Sequence, residues 1–227
     1  MNKATTIFNV ISLSLDKFEN YEAVFEGYLL EEREKLQKMW SYVEPYEWDG
    51  DILRGGSPDG YIDFLNEYST DVEIHFTNTF RASFLIQMMS LIEYHLKYVC
   101  EIHSKFSIAG YKLDDLAGND LDKCKIYLQK SCGVNFTVVN DEWNFIKSMY
   151  RVRNKFVHHS GLLNKKDTEG EIETLSKQGY FTIEEIRDTG HFTLRFESNM
   201  NAKLLSLTKI FFEKLTKSLM SAFTSLK

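Results

Sequence analysis

Apolar side chains recur every three or four residues along most of this chain, and the places where the recurrence breaks mark the ends of its elements. Phe18, Tyr21, Val24, Phe25, Tyr28 and Leu29 give one apolar face to a helix over 8–43, with Glu31 to Lys35 as a solvated charged run. Residues 44–60 then change character, with Pro45, Gly50, Gly55, Gly56, Pro58 and Gly60 making a loop dense in turn formers. This loop divides an N-terminal helical extension, 1–60, from a main body, 61–227. It is no phosphate loop, since it lacks both the Lys-Ser/Thr ending and the preceding strand.

A second helix, in one or two pieces, is predicted over 61–103. Its later part, 80–100, is apolar on most sides, as suits a central helix packed by several neighbours. Ser83, Gln87, Ser90, Tyr94, Lys97 and Glu101 form its polar stripe, with Glu93 at the flank. An ionised Glu in such a helix needs a partner; Arg153 is the first candidate, and a surface-facing Glu93 is the alternative. A short helix over 121–131 buries Leu121, Cys124, Tyr127 and Leu128, and 134–139 reads as an extended piece. Asn140, Asp141 and Glu142 supply a cap and first-turn carboxylates for the next helix. That helix turns Phe145, Met149, Val152 and Phe156 to the core and stops at Gly161. A polar stretch over 164–171 follows. Then 180–186 and 191–196 flank Asp188-Thr189-Gly190 as a β-hairpin, an insertion over about 179–198. The final helix, 200–226, opens at Ser198 or Asn199 and buries Leu204, Leu207, Ile210, Phe211, Leu215 and Leu219. The fold class is all-α.

With 227 residues, 43% hydrophobic and 26% charged, the composition is that of a globular chain with one substantial core. No apolar run reaches the length of a membrane span, because Gln87, Glu93, His95 and Lys97 interrupt the greasiest segment. Cys100, Cys124 and Cys132 are odd in number and lack paired short spacings, so a reducing cytoplasm is the expected setting, with no structural metal and no cofactor. The net charge of -6 argues against a protein that coats nucleic acid non-specifically, which depends on many Lys and Arg contacts to phosphate.

Against that acidic background, residues 147–161 gather Lys147, Arg151, Arg153, Lys155, His158 and His159 on one helical segment with no carboxylate among them. Lys147, Arg151, Asn154 and His158 fall on one stripe nearly opposite the apolar face, while Arg153 sits at the edge of that face. A cationic helix end that merely meets the negative pole of its dipole would also be basic. The order of residues adds something further. Arg153-Asn154-Lys155-Phe156-Val157-His158 resembles the signature of the HEPN family, an Arg followed after four to six residues by a His, often with a polar residue after the Arg. The resemblance covers roughly 76–227 and leaves the N-terminal quarter outside.

The resemblance implies a HEPN-like helical bundle, a homodimer whose motifs face each other, and RNA cleavage without a metal, in a family that serves toxin–antitoxin and phage-defence systems. Carried over, His158 is the proton-transfer residue, Arg153 the phosphate clamp and Asn154 the residue that orients one of them. Lys147, Arg151, Lys155 and His159 are then expected to bind RNA, with Glu93 in support and an antitoxin or regulatory protein as a further partner. The chemistry suits these residue types. The 2′-hydroxyl of RNA attacks the adjacent phosphorus, an imidazole titrating near neutrality moves the proton, and a forked guanidinium meets the charge on the phosphorane. Five residues separate Arg153 from His158, so on an ideal helix they project roughly 140° apart. Either the helix frays before His158 or the site needs a second copy of the motif, and a frayed end would leave His159 in contention. Two other readings stand beside the ribonuclease: a non-catalytic HEPN-like dimer that binds RNA, a nucleotide or a partner protein, and a structural helical module.

Overall fold

The computed structural model describes residues 3–43, 46–49, 52–56, 59–106 and 112–224. Pro45, Gly50, Pro58 and residues 225 and 226 of the expected final helix lie outside them. In chain order the elements are α1 (Lys3–Trp40), β1 (Tyr46–Asp49), β2 (Ile52–Gly55), α2 (Asp59–Thr70), α3 (Thr77–Phe106), α4 (Asp120–Lys130), α5 (Asn140–His159), α6 (Glu171–Lys177), β3 (Phe181–Ile186), β4 (His191–Phe196) and α7 (Met200–Thr224). The chain is mostly helical, with an antiparallel hairpin before the C-terminal helix, as the periodicity predicts.

Helix α3 is the axis of the core. Phe84, Leu85, Met88, Met89, Ile92 and Leu96 are all buried on it. Ile146, Met149 and Val152 of α5 and Leu204, Phe211 and Phe212 of α7 join the same cluster. Each such side chain contributes about 1.5–3 kcal/mol relative to leaving it in water. Ile7, Ile11, Leu15 and Leu29 of α1 belong to this cluster too, so the helix expected as an extension packs within the bundle, along α7 and α3. Leu207 is half-buried and Ile210 exposed, so the buried stripe of α7 is narrower than its spacing suggests.

An aromatic seam joins α1 to α3, where Phe25 stacks on Phe80 at 4.3 Å and Phe18 meets Phe84 edge-on at 5.6 Å. Beside it the buried Arg81 donates from Nε and Nη2 to the Glu26 carboxylate, at 2.8 and 2.9 Å, and from Nη1 to the Phe196 carbonyl at 2.8 Å. A buried guanidinium is tolerated because its charge and donors are met. The side chain of Asn78 bonds β4 as another strand would, donating to the Leu194 carbonyl and accepting from the Phe196 N–H, each at 2.9 Å. Together they fasten the β3–β4 hairpin to α3.

Four local expectations need correction, and the second helix does come in two pieces. The loop over 44–60 contains the antiparallel pair β1–β2, registered from Tyr46 with Gly55 to Asp49 with Ile52; four residues per strand among turn formers are too few for alternation to show. The second helix runs from α2 into α3 through a π-helical segment, Asp71–Phe76, where the Thr77 hydroxyl donates to the Val72 carbonyl at 2.7 Å. The piece expected as extended forms a 3-10 turn, Phe136–Val139, opened by the Asn135 side chain accepting from the Thr137 N–H at 3.0 Å. That turn leads directly into α5, so Asn140 lies inside the helix and Val139 takes the cap position without a side-chain bond. Helix α6 begins at the end of the polar stretch on two buried residues, Ile172 and Leu175, a pattern too short to read as helical. Among the described residues, no helix is long and apolar enough to cross a membrane.

Candidate functional site at the end of helix α5

Helix α5 is positioned at both ends. Near its start the buried Glu142 accepts from Lys214 of α7 at 2.7 Å, and along its length Ile146, Met149 and Val152 key into the core. Its other face carries the cations, and the fold supplies the carboxylates that the segment lacks. Lys147 meets Asp122 of α4 at 2.6 Å, Arg151 pairs with Glu171 of α6, and Lys155 meets Asp167 of the following turn at 2.6 Å. The Ser148 hydroxyl donates to the same Glu171 carboxylate. Three of the expected RNA-binding cations are therefore compensated. The Arg151–Glu171 pair is exposed, and surface pairs contribute about 0.2–1 kcal/mol, so exchanging that carboxylate for a phosphate costs little.

Arg153 is held differently. It is half-buried, its Nη1 donates to Asn154 Oδ1 at 2.9 Å, and its guanidinium carbon stands 5.7 Å from the centre of the Tyr150 ring. Its Nε is buried and has no hydrogen-bond partner among the described residues. Glu93 of α3 stands in the field of this group. Burial pushes the Glu93 carboxyl above its ordinary value, and the charge of Arg153 and a hydrogen bond from Tyr150 pull the other way. The Tyr150 hydroxyl is raised as well, by burial first and then by the charge of Glu93. Tyr150 thus joins Glu93, Arg153 and Asn154 in one cluster.

The helix remains intact through His159. Arg153 and His158 therefore diverge, and Asn154 and His158 share a face. Fraying before His158 does not occur, so within one chain the two groups stay apart. Both His158 and His159 are exposed. The chain leaves the helix through Ser160 at φ 53° and Gly161 at φ 76°, with the Gly161 N–H donating to the Lys155 carbonyl at 3.1 Å. A Cβ on Gly161 would stand 2.7 Å from Cε1 of Phe156, so glycine is required for the close approach as well as for the φ.

His159 turns toward a cleft of about 340 Å³ that it shares with Lys155, Asn164, Asp167 and His191. His191, the first residue of β4, is brought there by a two-way backbone bridge. Leu163 N–H donates to Phe192 O at 2.8 Å and Phe192 N–H to Leu163 O at 2.9 Å. No local pattern signals this, because the bridge joins segments separated by α6 and β3.

Cys100, Cys124 and Cys132 are buried and free. Burial pushes the Cys132 thiol up to about 12, and a hydrogen bond with Cys124 followed by burial raises that of Cys100, so neither is a thiolate near neutrality. Among the described residues, no three His, Cys, Asp or Glu side chains converge to hold a metal ion. No protein-family model, no curated protein and no solved structure matches the chain.

Proposed function

We propose that this protein is a metal-independent endoribonuclease of HEPN type, acting in the cytoplasm as a homodimer with a composite site made by two α5 ends. The observation that carries the reading is an unbroken α5 with an anchored guanidinium, Arg153 on Asn154, and an accessible imidazole, His158, on diverging faces. One chain offers each group the reaction needs, and a two-fold pairing would set the Arg153 of one protomer against the His158 of its partner.

In that site the 2′-hydroxyl attacks phosphorus and passes its proton to an imidazole. The P–O5′ bond breaks, the leaving oxygen takes a proton, and a 2′,3′-cyclic phosphate remains. Arg153 would stabilise the phosphorane oxygens through the guanidinium N–H groups that Asn154 does not engage and that are not buried. A toxin or phage-defence role, restrained by an antitoxin or regulatory protein, follows from the resemblance alone.

The second reading, a non-catalytic HEPN-like dimer that binds RNA, a nucleotide or a partner protein, draws on a specific observation as well. Lys147, Arg151 and Lys155 already hold carboxylates, which lowers the charge available to bind RNA. Incubation of the purified protein with single-stranded RNA and a chelator separates the two. Cleavage that leaves a cyclic phosphate and spares DNA supports the ribonuclease; RNA binding without cleavage supports the second reading.

A further inference from the structure

We infer that the cleft at the foot of α5 is a phosphate-binding subsite for RNA, in which His159, His191 and the Asn164 carboxamide donate to phosphate oxygens beside Lys155. The RNA identity rests on the function proposed above. The phosphate chemistry rests on the cleft itself.

The cleft, about 340 Å³, lies within the range of small-ligand sites, roughly 300–1,000 Å³. Its walls come from the end of α5, the segment after it, and the first residue of β4. Three ties fix them. The left-handed exit at Ser160 and Gly161 aims the chain, the two-way bridge between Leu163 and Phe192 brings in the strand that begins at His191, and the turn after α5 is locked on itself. In that turn Asn164 N–H donates to Asp167 Oδ2 at 3.2 Å, and Asp167 N–H donates to Asn164 Oδ1 at 3.1 Å. Lys155 donates to Asp167 Oδ1 at 2.6 Å and closes the set. The cleft is held before any ligand arrives.

Its hydrogen-bonding capacity is one-sided. Both oxygens of Asp167 and the side-chain oxygen of Asn164 are engaged. The Asn164 amide nitrogen and both imidazoles have no hydrogen-bond partner among the described residues, and His159 stands in the field of the Asp167 carboxylate. An amide NH₂ gives two donors and an imidazole at least one, so a matching ligand brings several acceptors in a small space. A phosphate group does so, and its charge favours the protonated imidazoles that donate from both nitrogens. A metal cation suits the walls poorly, because both oxygens of Asp167 are already committed, to Lys155 and to the Asn164 N–H.

The test follows the imidazole proton resonances of His159 and His191 by NMR, assigned with His159→Asn and His191→Asn. The probes are a single-stranded 2′-O-methyl oligoribonucleotide, which lacks the attacking hydroxyl, and separately a nucleoside 3′-monophosphate and inorganic phosphate. The oligonucleotide is expected to move both resonances with one midpoint, and the double variant to bind it about tenfold or more weakly. If none of the probes moves either resonance, the subsite is overturned, even if the protein cleaves RNA. If the monophosphate or phosphate moves both resonances and the oligonucleotide does not, the phosphate chemistry stands and the RNA reading falls.

Discussion

At Gly161 the backbone takes a left-handed turn while the ring of Phe156 occupies the space a side chain would need. Gly161→Ala meets both constraints at once and should destabilise the fold by about 1–3 kcal/mol, read as a lower urea midpoint with an unchanged slope. The two arginines of the segment should separate in the opposite sense to their similarity. Arg153→Lys keeps the charge but loses the fork and the Asn154 contact, so single-turnover cleavage should fall about 10²-fold or more with only a modest change in RNA affinity. Arg151→Ala frees Glu171 and should weaken RNA binding in a salt-dependent way while sparing the bond-breaking step. Cleavage like the parent's by Arg153→Lys would place the clamp elsewhere. Glu93 gives a pH signature. Its folded value lies above the ordinary 4.5, so the native state holds the proton longer than the unfolded chain does. Stability therefore falls as pH rises through that window. Glu93→Gln should raise Tm at neutral pH and give no gain well below 4.5, in thermal melts at both. At this scale the sequence placed Arg153 at the edge of the apolar face, because helical phase decides it. It missed Tyr150 and His191, whose roles depend on which neighbouring element arrives beside them.

The long helices were legible because each repeats its apolar stripe many times, and the β3–β4 hairpin because Phe192, Leu194 and Phe196 alternate around a turn sequence. The short pieces were not. In the π-helical segment, the 3-10 turn, α6 and β1–β2, tertiary packing or a single side-chain bond outweighs a pattern of four to seven residues. The attachment of the hairpin to α3 was equally invisible, resting on Asn78 and Arg81, a polar pair at the start of a helix. Asn78→Ala removes two bonds to β4 and should cost about 1–3 kcal/mol. Hydrogen exchange should quicken at the Phe196 amide and remain slow in the middle of α7. Uniform quickening across both would mean that the hairpin and the bundle open as one unit.

For the whole molecule, the acidic balance and the basic segment are reconciled by placement. Asp122, Asp167 and Glu171 are spent on α5, so the net charge of -6 does not leave the cations bare. An all-α bundle was readable from periodicity, whereas the inclusion of α1 in the core was not, since an amphipathic helix does not announce what it packs against. Assembly of the proposed site is a property of two chains. Arg153→Ala and His158→Ala would each leave every composite site lacking one group, whereas a mixed dimer would regain one complete site. Equal mixing of the two inactive variants, after dissociation and reassociation, should restore about a quarter of the parental cleavage rate in the presence of a chelator, since half the dimers are mixed and each holds one of two sites. No recovery when mixed dimers have formed, or a parent protein that leaves RNA intact, would contradict a composite ribonuclease site.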